Sequence, residues 1–189
     1  MALAFGNLSE MAAIQKSTKA SIHICNKKIK YIMEYRRIID VDIREFDRKT
    51  FEKSLEWLSD PEIRALTLTP ESDRESKEKW FENLKDREDY YIRSVWRDED
   101  PIGVLGIKHI TDSDGEAWAY IGEKKYWGKA IGMEMFQYLI DYAVSIHLES
   151  LYIKFIKSNH FSYKIGKRFG FEVEEDKSNG DLITMRRFL

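Results

Sequence analysis

The sequence predicts one mixed α/β domain preceded by an N-terminal extension, and three observations carry that expectation. Residues 90–121 fall into three short apolar-rich runs separated by turn signals, the pattern of strands. Residues 132–146 change to a helical period, with Met135, Leu139, Tyr142 and Ile146 on one stripe. Strand patterns return at 151–156 and 182–188, the latter after the hairpin signal Asn179-Gly180.

Taken in order, residues 1–20 show no clean period and read as an arm. Residues 21–33 alternate in part (Ile22, Ile24, then Ile29, Tyr31, Met33) and suggest a hairpin within an extension of residues 1–37. The domain proper then spans 38–189, with a first strand over Ile38–Ile43. A helix near Asp47 places Phe51, Leu55 and Leu58 on one face. Asp60-Pro61 opens a short second helix, since proline suits the first helical turn. A third helix runs from Glu75 to Leu84 with Trp80 and Phe81. Strands follow at Tyr90–Trp96, Ile102–Ile110 and Ala117–Ile121, divided by turns at 98–101 and 111–115. The long helix Gly132–Ile146, the strand Leu151–Ile156, a short helix Phe161–Phe169 and the strands Phe171–Val173 and Leu182–Phe188 complete the chain.

Composition narrows the function classes. At 189 residues the chain can bury a core without disulfides or a structural metal. The single Cys25 rules out an intramolecular disulfide framework and fits a reducing compartment. His23, His109, His147 and His160 lack the spacing of metal ligands, so no metal is expected. No apolar run is long enough for a membrane span, and Met1–Phe5 lacks the positive start of a signal peptide, so the expected setting is the cytoplasm. Residues 1–37 hold seven Lys/Arg against two Asp/Glu, residues 38–123 hold 13 against 23, and residues 124–189 hold 11 against eight. This uneven distribution lacks the broad basic face of a nucleic-acid binder. The acidic middle is either solvated surface or a wall that suits a cationic amine.

The stretch richest in chemistry runs from Ile121 to Gly132. A strand ends, Gly128, Ala130 and Gly132 keep alternate positions small, and a long helix begins. Small residues let a ligand approach the backbone, and the free N–H groups and dipole of the helix start favour an anion. Lys124, Lys125 and Lys129 add positive charge. A phosphate or pyrophosphate cradle follows, distinct from a Walker loop and from the dinucleotide fingerprint in its spacing. A turn kept small for packing is the alternative reading.

This loop resembles the Q/R-x-x-G-x-G/A signature of the GNAT superfamily of N-acetyltransferases, with Lys125 in the Q/R position. Asn159, Ser162, Gly170 and Phe171 are similar to the family's N-x-x-S/A and Gly-Phe pattern, and the resemblance spans about four-fifths of the chain. It implies a central, mostly antiparallel sheet of about seven strands, flanked by four to five helices, in which the fourth and fifth strands splay apart. It further implies acetyl-CoA as donor, with its pantetheine arm between Ala117–Ile121 and Leu151–Ile156. The donor would be held by Ile121, Gly122, Lys125, Tyr126, Trp127, Gly128, Lys129, Ala130, Ile131, Gly132, Asn159 and Ser162. Asn159 also suits a helix N-cap. Lys164, Lys167 and Arg168 are candidates for the adenosine phosphate, or are solvated helix charges.

The family's usual acid, a tyrosine seven residues after the motif asparagine, is replaced by Gly166, and the carboxylate some members carry five residues before it is replaced by Lys154. Glu116 shares a strand face with Trp118 and Tyr120 and is the candidate base, with Glu123 ranked lower and Tyr163 a candidate hydroxyl near the sulfur. Backbone N–H groups at the end of the fourth strand can receive the oxyanion. The acceptor is expected to be a small primary amine, first an amino sugar, including one linked to a nucleotide. A protein N-terminus, another small amine, or a non-catalytic acyl-CoA-binding module are the alternatives. The segment 21–33 could pair two copies into a homodimer. No nucleic acid or membrane partner is expected.

Overall fold

A computed structural model of the protein describes residues 40–189. The expected hairpin at 21–33 and the rest of the extension lie outside the described residues. The elements are β1 (Asp42–Glu45), α1 (Arg48–Ser59), α2 (Pro61–Thr67), α3 (Arg74–Asn83), β2 (Tyr90–Arg97), β3 (Asp100–Lys108), β4 (Asp114–Ile121), α4 (Ile131–Ser145), β5 (Ser150–Ile156), α5 (His160–Arg168), β6 (Glu172–Val173) and β7 (Leu182–Phe188). The sheet order is β1-β2-β3-β4-β5-β7-β6. Every pairing is antiparallel except β4 with β5.

Local chemistry sets most boundaries. Asp47 caps α1 by accepting from Thr50 N at 2.8 Å. Asp60 caps α2 through Glu62 N and Ile63 N, with Pro61 in the first turn. Asp73 caps α3 through Ser76 N. Helix α5 ends in a Schellman arrangement: Phe171 N donates to Gly166 O, Gly170 N donates to Lys167 O, and Gly170 takes φ 78°. The Gly-Phe pair thus stops the helix and drives Phe171, 1% exposed, into the core.

The largest departures from the sequence expectation are two boundaries and one buried face. Within the described residues, the strand expected over Ile38–Ile43 is β1, Asp42–Glu45, whose ladder with β2 runs from the pair Asp42–Trp96 to the pair Glu45–Arg93. The strand expected from Ala117 starts at Asp114, because Thr111 closes a tighter turn through Thr111 N to Asp114 O (2.9 Å) and Asp114 N to Thr111 Oγ1 (3.0 Å). The buried face of α1 is Phe51, Ser54 and Trp57 rather than Phe51, Leu55 and Leu58. The Trp57 indole has the larger apolar surface to bury, and the Ser54 hydroxyl is satisfied inside by Phe51 O at 2.7 Å.

The sheet has two unlike faces. On one, α4 packs through Tyr142, stacked on Tyr91 at 3.5 Å, and α5 through Phe169, stacked on Phe136 of α4 at 6.2 Å. On the other, Trp57, Ile63, Ile92 and Val104 form a core under α1 and α2, walled by Trp80, Tyr90, Trp118, Tyr120 and Trp127. Each such side chain contributes about 1.5–3 kcal/mol when fully buried. The parallel ladder of β4 and β5 holds only three pairs, Asp114–Ser150, Gly115–Leu151 and Glu116–Tyr152. Beyond Glu116 the strands part: β4 continues beside β3 to Ile121 and β5 beside β7 to Ile156.

Candidate active site

Two places with separate chemistry flank that gap. The first is the start of α4. Ala130 is its N-cap residue, in the left-handed region at φ 60°, and no side chain caps the helix. Gly128 is also left-handed, at φ 74°, with open space where a Cβ would stand. Left-handed residues on either side of Lys129, at an uncapped helix start, are the kind of backbone that can form an anion-binding nest at a positive helix end. Lys125 and Lys129 lie 5.1 and 5.2 Å from the Tyr126 ring, and Arg97 lies 5.5 Å from it. Among the described residues neither Lys125 nor Lys129 has a carboxylate partner, so their charge is available at the cradle.

Other predicted cradle residues have structural work. Lys124 is drawn away: its Nζ pairs with Asp60 at 2.8 Å and Glu62 at 2.6 Å, which bolts the loop to α2. The Asp60 carboxyl is held below its usual range, first by the hydrogen bond from Lys124. Gly122 lies under the Trp57 indole, and its N–H donates to Ile102 O at 2.9 Å. Trp127 Nε1 donates to Ile121 O at 2.8 Å, which folds the loop back on the strand end. Gly132 lets α4 and α5 meet: a Cβ there would stand 3.1 Å from Ile165 Cδ1 and 3.2 Å from Phe161 Cε1. Ile131 is fully buried. Its place in the cradle is therefore its backbone. Asn159 is the N-cap of α5, accepting from Ser162 N at 3.1 Å. Lys164, Lys167 and Arg168 are exposed on α5.

The second place is the vertex where β4 and β5 part. Glu116, in the last pair before the gap, is only 6% exposed. Lys108 Nζ is 3.0 Å from Oε1, His109 Nδ1 3.5 Å from Oε2 and Lys154 Nζ 3.7 Å from Oε2. His109 has φ 54°, a rare conformation for a non-glycine residue. Along the same β4 face, Trp118 and Tyr120 stack at 6.3 Å, Trp118 meets Tyr90 at 6.2 Å and Tyr120 meets Trp57 at 6.2 Å. Gly106 faces Trp118 across the ladder, where a Cβ would press on the indole. Burial pushes both the Tyr90 and Tyr120 phenols up, so they stay protonated. Tyr163 is 42% exposed on α5, on the opposite face of the sheet. Glu123 is tied to Trp57 Nε1 at 3.1 Å and Lys53 at 3.6 Å.

Sequence reasoning missed the cation ring around Glu116. Lys108 and His109 lie at the end of one strand and Lys154 in the middle of another, so no motif joins them. The open hollow of about 600 Å³ bordered by Leu58, Arg64, Thr69, Glu71, Asp73 and Lys77 contains none of the predicted site residues. Among the described residues there is no His/Cys/Asp/Glu cluster that could hold a metal, and no helix long and apolar enough to cross a membrane.

A sheet opened between two parallel strands, with an uncapped basic helix start on one side and a buried carboxylate on the other, suits group transfer from a phosphate-bearing carrier. Residues 40–172 match the model of the acetyltransferase (GNAT) domain, and the chain belongs to that family. It is an N-acetyltransferase that uses acetyl-CoA. No curated protein sequence matches the chain. Among solved structures, a domain from Methanocaldococcus jannaschii aligns with TM-score 0.69 at 20% identity, over 79% of this chain and 98% of that one. The Campylobacter jejuni N-acetyltransferase PseH in complex with acetyl coenzyme A aligns with TM-score 0.62 at 20% identity, over 78% and 98%. The Vibrio cholerae spermidine N-acetyltransferase in complex with CoA and spermine aligns with TM-score 0.67 at 18% identity, over 78% and 95%. At these identities the likeness speaks for the fold.

Proposed function

We propose that the protein acetylates the primary amine of an amino sugar, with Glu116 as the group that takes the amine proton. The observation that carries this reading is the buried Glu116 carboxylate at the β4/β5 vertex, in line with the Trp118–Tyr120 stack. Flat aromatic faces suit a sugar ring, and two protonated phenols offer donors to its hydroxyls.

In this mechanism the N–H groups of Gly128–Gly132, with Lys125 and Lys129, would hold the phosphates, and Ile121, Tyr126 and Trp127 shape the loop that would carry them. The bound donor supplies a thioester that is already activated. Asn159 and Ser162 brace the start of α5 beside the parted strand β5. Backbone N–H groups on the β5-facing edge of β4 beyond Glu116 stabilise the developing oxyanion. Glu116 accepts the amine proton, directly or through one water. An amino-sugar amine is less basic than an alkyl amine near 10.4, because nearby oxygens withdraw charge, so its proton is the easier one for a carboxylate to take. Water or the Tyr163 hydroxyl on α5 would supply the proton that a departing thiol needs.

Thiol release from acetyl-CoA, measured against a panel of amino sugars, peptides with free N-termini and polyamines, tests the reading. The amino sugars should give the highest kcat/KM. A peptide or polyamine that surpasses them would overturn it.

A further inference from the structure

We propose that the acceptor carries an anionic group, a phosphate or carboxylate, and that Lys108 and Lys154 at the β4/β5 vertex bind it with His109 at their rim. This deepens the proposed function and rests on it.

The argument begins with the charge ledger of the vertex. Among the described residues Lys108, His109 and Lys154 all lie within 4 Å of the Glu116 carboxylate, and the charge of Asp89, which His109 also feels, is matched by Arg87 at 2.7 Å. The next group along the sheet is already neutral: Arg186 pairs with Asp114 and Glu174, each at 2.9 Å, and Lys177 also pairs with Glu174. Tyr152 lies between the two groups, its ring 5.2 Å from Lys154 Nζ and 5.1 Å from Arg186 Cζ. Around Glu116 one positive charge is therefore left over with His109 neutral, and two when it is protonated.

The acidic balance of residues 38–123 does not cancel this surplus. Many of its carboxylates are committed elsewhere, as in the pairs Arg48–Glu78, Arg74–Glu52 and Lys79–Glu75 on α1 and α3. Asp60, Glu62 and Glu123 are likewise engaged around the loop before α4. A wall that would collect polyamines does not form at the vertex.

The lysines are also placed to be reached. Their side chains are 34% and 37% exposed, while the carboxylate between them is buried. They stand on the sheet face opposite α4 and α5, so they do not belong to the donor cradle. Because a strand rises about 3.3 Å per residue, Glu116 lies roughly 7 Å from Trp118 and 13 Å from Tyr120 along β4. An amine presented in the gap would place an anion at the lysines when the two groups are separated by the width of one sugar ring. Glu116 then does two things: it meets the amine proton, and it holds two lysines in register for the anion.

The test compares glucosamine with glucosamine 6-phosphate, amines that differ only in the phosphate. In the wild type the phosphate should raise kcat/KM by about tenfold or more, the scale of a charge-assisted hydrogen bond. Lys154→Gln should abolish that ratio, and Lys154→Arg should keep it. Because Lys108 stays on Glu116 in both variants, neither leaves a buried carboxylate without a partner. A second measurement needs no turnover: calorimetric titration of pyrophosphate into protein saturated with CoA, so that the α4 cradle is filled. Binding should occur and weaken about tenfold in Lys154→Gln. A ratio near one in the wild type, or no pyrophosphate binding in the CoA complex, overturns the inference. If pyrophosphate binds as described but no amino sugar is acetylated, the anion site stands and the proposed acceptor falls.

Discussion

The Trp57 indole lies flat on the backbone of Gly122: a Cβ at Gly122 would overlap Cγ, Cδ2 and Cε3 of the ring. This contact ties α1 to the strand end that leads into the cradle. Trp57 Nε1 extends the tie to Glu123 at 3.1 Å. Gly122→Ala should therefore destabilise the fold by about 1–3 kcal/mol, the usual cost of overpacking. Thermal unfolding should show a Tm lower by several degrees. An unchanged Tm would mean that the indole has free space to move into.

The cradle depends on Gly128 and Ala130 as backbone positions. Gly128→Glu and Ala130→Glu put a bulky anion where phosphates would sit, and calorimetry should detect no acetyl-CoA binding in either. Ala130→Gly is the contrasting variant. It removes the roughly 1–2 kcal/mol that a left-handed non-glycine residue costs. Donor affinity should be retained and Tm should not fall. Normal affinity in both folded glutamate variants would refute the cradle.

Glu116→Gln keeps the shape of the side chain and removes its basicity. The transfer rate should drop about 100-fold at saturating donor. Acetyl-CoA affinity should hold, because Glu116 is outside the cradle. Raising the pH should partly restore the rate, since more of the amine is then neutral. A variant within about threefold of wild type, with the same pH profile, would take Glu116 out of proton transfer.

Gly166 stands where the family resemblance implies a tyrosine, and its surroundings leave little room for a side chain. A Cβ there would stand 3.0 Å from both Ile153 Cδ1 and Met185 Sδ, between α5 and the sheet. Gly166→Tyr should lower Tm and bring no gain in turnover. A stable, faster variant would show that the thiolate lacks a proton donor in the wild type.

The Arg186 network gives an acid limb to stability. Burial alone would raise the Glu174 carboxyl, but hydrogen bonds from Lys177 and Arg186 outweigh it and hold the group below its ordinary value. A carboxyl depressed in the folded state binds fewer protons there than in the unfolded chain. The stability it contributes is complete above the ordinary glutamate value of about 4.3 and is lost as pH falls toward the folded value. Arg186→Met should lower Tm at neutral pH and flatten its decline between about pH 5 and 3. Parallel curves for variant and wild type would contradict this assignment.

What the sequence determined by itself was local. Strand and helix periods, the Asp60-Pro61 helix start, the Asn159 cap, the Asn179-Gly180 turn and the small residues of the cradle all act within a few positions of one another, so their chemistry can be read along the chain. What the tertiary structure decided was every relation between distant segments. Trp57 took the buried face of α1 because Gly122, 65 residues away, leaves room for an indole. Lys124 left the cradle because α2 brings Asp60 and Glu62 to it. Glu116 acquired Lys108, His109 and Lys154 because antiparallel pairing to β3 and parallel pairing to β5 converge on the last residue before the strands part. Charge acts through space, and only the register of the sheet sets which charges are neighbours.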